Sequence, residues 1–297
     1  MKVLIISNPT SGKANQEFVT QVQQELVTAG AEVELYLTQA ANDATAYLAN
    51  YRGDLDVVAV AGGDGTINEA INGLKEKDSR TFRIALIPTG TTNVLAGELK
   101  IKRNAKRISQ IILQGKEKPI YPGRINDRRF LLMAGVGYDA WVVDNVDLDL
   151  KKKVGKLAYV LSMLKQLRHF GKKEYRLQVD GKEYLANSVV ITNGRLYGGS
   201  FVLSKQADLS APTTQVLMLN GKNMWSLLYS LLGLPFGLVE KMPGVVSIPA
   251  KQVHIELAGQ VDVEQAQPEP VQADGDSLAH LPITVVMEAQ PLRVLVP

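Results

Sequence analysis

Residues 56–70 read DVVAVAGGDGTINEA, Asp56 to Ala70. The apolar run Val57–Ala61 is short, unbroken and rich in valine, the pattern of a strand buried on both faces of a parallel sheet. Gly62, Gly63 and Gly65 follow at once and read as a tight turn that lets backbone amides approach a ligand closely. Thr66 reads as the cap of the next helix, and Glu69, three residues on, completes a capping box ahead of a helix over Ile67–Leu74. A helix start reached this way offers N–H groups and a partial positive charge to an anion. Asp64 sits inside that turn, where a carboxylate needs a magnesium ion, a water or a proton to remove. The plainer alternative is an ordinary glycine-rich strand-to-helix turn.

The same rhythm extends to both sides. KVLIIS (Lys2–Ser7) is a buried-strand run, too short and too lightly charged for a signal peptide. In NQEFVTQVQQELVTAG, Phe18, Val19, Val22, Leu26 and Val27 form a helical stripe that ends at Gly30. EVELYLT is a second strand, ANDATAYLANYR a second helix and RIALIP a fourth strand. Strands alternating with helices imply an α/β domain with a parallel sheet covered by helices, residues 1–122.

From Pro122 the rhythm changes to strand-like runs broken by Gly, Asn and Pro: RRFLLMAGVG, EYRLQVDGKEYLANSVVITNG, TTQVLMLNG, VVSIPAKQVHIELAG and PITVVMEAQPLRVLVP. VDGKEY predicts a hairpin turning at Asp180-Gly181. These runs predict a largely β, sandwich-like domain over 123–297, whose last residues are free to return to the first domain. Val261–Asp276 reads as an extended connection.

A chain of 297 residues has room for two domains. It holds no cysteine, so disulfide scaffolds, thiolate zinc sites and cysteine nucleophiles are excluded. The three histidines, His169, His254 and His280, lack metal-ligand spacing. A net charge of +3 is too mild to argue nucleic-acid binding.

Two segments interrupt the β rhythm. Lys151–Arg176 carries a strong excess of basic residues, with Val154, Leu157, Leu161 and Leu164 at helical spacing. That is a basic amphipathic helix, fit for an anionic membrane surface or for packing on its own domain. Met224–Val239 (MWSLLYSLLGLPFGLV) is too short to span a bilayer, and Gly233, Pro235 and Gly237 break it. It reads as a core-packed helix or as an apolar wall of a lipid site.

Two more loops follow strands. NPTSGK (Asn8–Lys13) offers Ser11, Gly12, Lys13 and nearby amides to a phosphate, although it lacks the first glycine and the Ser/Thr of a Walker A loop. PTGTTNVLAGEL (Pro88–Leu99) places Gly90 and Thr91 after RIALI. Three loops at the carboxyl ends of one parallel sheet converge where ligands bind in open α/β sheets.

NPTSGK, GGDGTINEA and PTGTTN, in this order, resemble the diacylglycerol kinase catalytic domain family, which includes sphingosine, ceramide and bacterial lipid kinases. GVGYDA (Gly135–Ala140), NGRLYGGSF (Asn193–Phe201) and ADGD near the end resemble blocks of the bacterial members, so the resemblance spans the chain. The related NAD kinases and 6-phosphofructokinases share a GGDGT-like loop, but NAD kinases carry a different block where PTGTTN stands here.

The resemblance implies an ATP-dependent lipid kinase with its site in an interdomain cleft. It implies that the nucleotide contacts Asn8, Ser11, Gly12, Lys13, Thr38, Gly62, Gly63, Asp64, Gly65, Thr66, Ile67, Asn68 and Thr91. Magnesium would arrive on ATP, near Asp64 or with Asp64 near the attacking hydroxyl. Asp276 of DGD stands where the family has the glutamate of DGE and would accept the hydroxyl proton. The sequence departs from the family there, at Val94 where many members have aspartate, and at Ser210–Gln215, where the carboxylates of a structural magnesium loop are replaced. No metal is expected in that loop. A nucleotide-binding lipid sensor and a kinase of a soluble substrate are the alternatives. The expected partners are a lipid substrate and an anionic membrane surface met peripherally from the cytoplasm, with no nucleic acid and the homodimer question open.

Overall fold

The computed structural model describes residues 1–297 except 10–12, 76, 78–80, 147–161, 164, 168–169, 222 and 260–267. The chain forms two compact units, Met1–Tyr121 with Ala289–Pro297, and Pro122–Glu288.

The first unit is built on β1 (Lys2–Ser7), β2 (Glu32–Leu37), β3 (Val57–Gly62), β4 (Arg83–Pro88) and β5 (Lys116–Ile120). The sheet order is β2-β1-β3-β4, then the strand Leu292–Val296, then β5. Every pairing from β2 across to Leu292–Val296 is parallel; β5 pairs antiparallel at the edge. The sequence runs explain the burial. Val3–Ile6 and Val57–Ala61 are essentially inaccessible, as parallel strands covered on both faces must be. Helices α1 (Lys13–Thr28), α2 (Asp43–Asn50), α3 (Asp64–Gly73), α4 (Val94–Glu98) and α5 (Ala105–Gln114) cover the sheet. Helix α1 buries Phe18, Val19, Val22 and Leu26, whereas Val27 is exposed, because it sits one residue off the stripe.

The second unit has two six-stranded sheets. One runs Lys182–Ala186, Tyr175–Val179, Gln252–Leu257, Ile283–Met287, Gly123–Ile125, Arg128–Phe130. The other runs Val245–Ala250, Thr214–Leu219, Ser188–Thr192, Met133–Val136, Pro270–Ala273, Asp276–His280. Their inner faces share one core that includes Phe130, Tyr175, Leu177, Val253 and Ile283 from the first sheet and Val136, Ile191, Met218 and Val271 from the second. This is a sandwich, as the strand-like runs broken by Gly, Asn and Pro predict. Asp180 and Gly181, both at positive φ, make the predicted two-residue hairpin between Val179 and Lys182.

Two readings change. Pro270–Ala273 and Asp276–His280 are paired strands, so the stretch up to Asp276 is not all connection; residues 261–267 of it lie outside the described residues. Tyr175 and Arg176 begin a strand rather than end a helix. In the rest of the basic segment, residues 151–161, 164 and 168–169, with Val154, Leu157, Leu161 and Leu164 among them, lie outside the described residues. Among the described residues no helix is long and apolar enough to cross a membrane.

Candidate functional site

The order β2-β1-β3 makes the chain leave β1 toward one side and β3 toward the other. The crevice beyond their carboxyl ends is the usual ligand position in such sheets. Loop 8–13 follows β1, Gly62–Gly63 closes β3, and Thr89–Asn93 follows β4.

These loops are tied to one another through backbone. Asn8 N donates to Ala61 O at 3.2 Å, and Thr89 N to Gly62 O at 3.3 Å. Asn93 is held in the left-handed region at φ 48°, where asparagine is tolerated, and its side chain grips Gly90 twice. Oδ1 accepts from Gly90 N at 2.9 Å, and Nδ2 donates to Gly90 O at 2.7 Å. Asn15 Nδ2 donates to Thr89 O at 3.0 Å while Asn15 Oδ1 accepts from Arg103 at 2.7 Å. Arg103 also lies 4.5 Å over the Phe18 ring. The start of α1, and with it Lys13, is thereby fixed to the loop after β4.

The glycines of GGDGT serve closeness, not unusual dihedrals. Gly63 has φ −89° and ψ −174°, and neither Gly62 nor Gly65 has positive φ. A Cβ on Gly62 would fall 2.4 Å from the Thr66 side chain, and one on Gly90 would fall 2.4 Å from Gly63 Cα. Two loops therefore touch main chain to main chain.

Helix α3 begins at Asp64 with Gly63 as its cap and no side-chain cap bond. Thr66 and Glu69 do not form the expected capping box, because both already lie within the helix. Ile67 N is the first to be satisfied within the helix, by Gly63 O at 3.1 Å. The amides of Asp64, Gly65 and Thr66 open the helix, where main-chain donors lack intrahelical partners.

Asp64 has a structural task that the sequence does not reveal. Its carboxylate accepts from Val94 N at 2.9 Å and Leu95 N at 3.0 Å, so it caps α4 from thirty residues away. Burial pushes its carboxyl above the ordinary value, against those amides, which hold it down. The Asp64 side chain thus fastens the loop after β4 to α3.

The other expected nucleotide residues are placed as follows. Lys13 is exposed at the first position of α1, Asn8 is half-buried and Thr91 is exposed. Ser11 and Gly12 lie outside the described residues. Thr38 is buried at the end of β2, its amide donating to Ser7 O at 2.9 Å. Ile67 and Asn68 face inward: Ile67 is 3% exposed with its amide already used, and Asn68 Oδ1 accepts from Asn72 Nδ2 at 3.1 Å. The helix starts three residues earlier than its sequence signals, so both lie within its first two turns rather than at its start. Thr89 was not expected here. Its hydroxyl is buried without a hydrogen-bond partner among the described residues.

In the second unit, three sequence blocks meet at Asp139, the first residues of α6 (Tyr138–Asp144). Tyr197 donates its hydroxyl to Asp139, and Gln272 Nε2 donates to it at 2.5 Å. Burial raises the Asp139 carboxyl above its ordinary value, and these two donors oppose the rise. Asp274 and Gly275, both at positive φ, turn the hairpin between Pro270–Ala273 and Asp276–His280. The Asp274 carboxylate accepts from the amides of Leu131, Leu132 and Met133 at 2.8, 2.8 and 3.1 Å. Asp276 opens the outgoing strand with its side chain exposed. Asp208 spends Oδ1 on Ser210 N at 2.9 Å, and no group of three or more potential metal ligands occurs among the described residues.

Residues 2–125 match the family model described as diacylglycerol kinase catalytic domain, and residues 133–296 match the YegS C-terminal NAD kinase beta sandwich-like domain. A curated diacylglycerol kinase of Bacillus subtilis (strain 168) is 34% identical over 228 residues, covering 74% of each chain. The chain belongs to the diacylglycerol kinase family. It is therefore a kinase. A diacylglycerol kinase of Staphylococcus carnosus (strain TM300) is 28% identical over 297 residues, covering 99% of this chain and 94% of that one. A crystal structure of a diacylglycerol kinase from Bacillus anthracis str. Sterne shares the fold, with TM-score 0.79, 24% identity and coverage of 100% and 97%. In this member of the family the GGDGT and PTGTTN loops meet main chain to main chain at Gly63 and Gly90.

Proposed function

We propose that the chain transfers the γ-phosphate of ATP to the hydroxyl of a lipid, diacylglycerol or a similar lipid alcohol. The observation that carries this reading is the cradle: three strand-end loops of one sheet, locked by the Gly63–Gly90 approach, around the amides that open α3. Phosphates fit such a place, because main-chain donors and a helix start favour anions. The buried Thr89 hydroxyl, unpartnered among the described residues, adds a donor beside it. The lipid acceptor rests on the relatives, which are diacylglycerol kinases.

Phosphoryl transfer needs positioning and charge neutralisation more than covalent help. Lys13 and the amides of Asp64, Gly65 and Thr66 hold the phosphates. Magnesium bound with the nucleotide would supply charge neutralisation at the phosphates. The described residues offer it no dedicated cage, and Asp64 already serves two amides, so the ion travels on the nucleotide. Asp276, exposed and free of any described partner, takes the proton from the lipid hydroxyl. The enzyme works in phospholipid metabolism as a cytoplasmic protein that meets anionic membrane peripherally through the basic segment 151–176.

The test is phosphate transfer from labelled ATP to a panel of lipid alcohols, with products identified by mass. A phosphorylated lipid is expected. ATP binding without any lipid product would reduce the chain to a nucleotide-binding sensor, and a phosphorylated soluble sugar would replace the acceptor class.

A further inference from the structure

Helix Met224–Leu231 in the second unit carries no charged residue, and its two serines, Ser226 and Ser230, turn their hydroxyls onto backbone carbonyls. Its inner side packs on the core: Leu227 is 1% exposed, and Met224, Leu228 and Leu231 lie against Leu167, Phe170 and Leu219. Its outer side, which should be polar on a solvated protein, carries Trp225, Tyr229 and Leu232 at i, i+4 and i+7, exposed by 70%, 52% and 64%. The chain then turns through Leu234–Phe236 and Gly237, leaving Phe236 74% exposed and Leu238 partly so. Burying Leu234 and Val239 anchors this turn from beneath. Few proteins leave so many large side chains contiguous in water without a use for them.

The charges around the patch identify its occupant. No Asp or Glu occurs between Asp208 and Glu240. Glu240 itself is half-buried and engaged, accepting from Ser204 Oγ at 2.6 Å, Ser247 Oγ at 3.0 Å and Lys205 N at 3.0 Å. Lys205 and Lys241 are exposed and form no ion pair among the described residues; the Lys205 stem runs beside Gly237 in the turn. The outer face is therefore apolar and aromatic, with the exposed lysines Lys205 and Lys241 at its turn. Trp and Tyr with apolar bodies and polar tips are the residues that settle at a bilayer's headgroup level, and lysines beside them attract anionic lipid.

We infer that the face formed by Trp225, Tyr229, Leu232, Phe236 and Leu238 docks into the interfacial layer of an anionic bilayer. The inference rests on the lipid-kinase reading for its membrane, and it adds a second contact, distinct from the basic segment. Because Trp225 is one of only two tryptophans, insertion is directly readable.

The full chain is mixed with phosphatidylglycerol–phosphatidylcholine vesicles whose acyl chains are plain or brominated. Tryptophan emission should shift to the blue and be quenched by the brominated chains, and Trp225→Phe should abolish both changes while the protein still sediments with vesicles. Quenching that persists in Trp225→Phe, or vesicle-bound protein without quenching, overturns the inference. So does a shift that depends on protein concentration and needs no vesicles, since the occupant is then a second copy of the chain. The triple variant Trp225→Ser, Tyr229→Ser, Phe236→Ser should weaken vesicle binding about tenfold or more and lower phosphorylation of vesicle-borne lipid, while a monomeric short-chain diacylglycerol is phosphorylated as before. Quenching with no lipid ever phosphorylated would sink the kinase reading and leave the docking face. Phosphorylation of the short-chain lipid without quenching would do the reverse.

Discussion

Gly90→Ala tests whether the cradle depends on main-chain contact. The new Cβ would stand 2.4 Å from Gly63 Cα, 2.9 Å from Gly63 N and 2.8 Å from Asn93 Oδ1. Carbon atoms rest about 3.5–4.0 Å apart, so the two loops must separate by roughly 1 Å. None of the three neighbours is the far end of a flexible side chain; two are backbone and the third is the oxygen that clamps Gly90 N. Overpacking of this kind costs about 1–3 kcal/mol, and a shift on the order of 1 Å in a positioned substrate costs about 10²-fold in turnover. Gly63→Ala is the control for stability, because its Cβ would find Gly90 Cα at 3.3 Å, a distance a small adjustment relieves. Thermal melts and steady-state kinetics on ATP check both. Gly90→Ala should melt below Gly63→Ala and lose about 10²-fold in kcat/KM. A Gly90→Ala protein with wild-type melting and wild-type ATP kinetics would refute the reasoning.

Asp276→Asn removes a base from an exposed position, so kcat should fall about 10²–10⁴-fold with KM for ATP and melting temperature unchanged; full lipid phosphorylation would exclude the assignment. Asp274→Ala strips an acceptor from three amides and should destabilise the protein by about 1–3 kcal/mol in urea titration, whereas Asp276→Ala should not. Asp139 ionises less readily when folded, since burial outweighs its two donors. Its stability contribution is present below the ordinary carboxylate value and is lost as pH rises through the raised folded value. Wild type should therefore lose stability from acidic toward neutral pH relative to Asp139→Asn, and parallel urea midpoints for the two across that window would contradict this.

Three inner strands of the first unit, β1, β3 and β4, were legible because each is a short apolar run closed by Asn, Gly or Pro, whereas β5 (KEKPI) is polar and edge-paired and gave no such signal, and Leu292–Val296 joins the sheet from the far end of the chain. The sandwich was legible from the strand-like runs broken by Gly, Asn and Pro and from the Asp-Gly pair at 180–181. What escaped the sequence is what depends on distant partners. Thr66 and Glu69 carry a capping signature, but Asp64 is drawn into the helix because α4 needs its carboxylate, and nothing local announces α4. Asp139 reads as one more polar residue in GVGYDA; its partners Tyr197 and Gln272 lie 58 and 133 residues away. Asp274 was hidden in the same motif that suggested Asp276. An Asp-Gly pair at a hairpin is a local signal, yet its second role, gathering three amides of a neighbouring strand, is not.

Strand Leu292–Val296 lies between β4 and β5 in the first sheet, with the whole second unit intervening in the chain. The ribosome must therefore make the sandwich before the sheet of the first unit can close. Until then β4 and β5 each lack a neighbour, and the nascent sheet is a template for stray pairing.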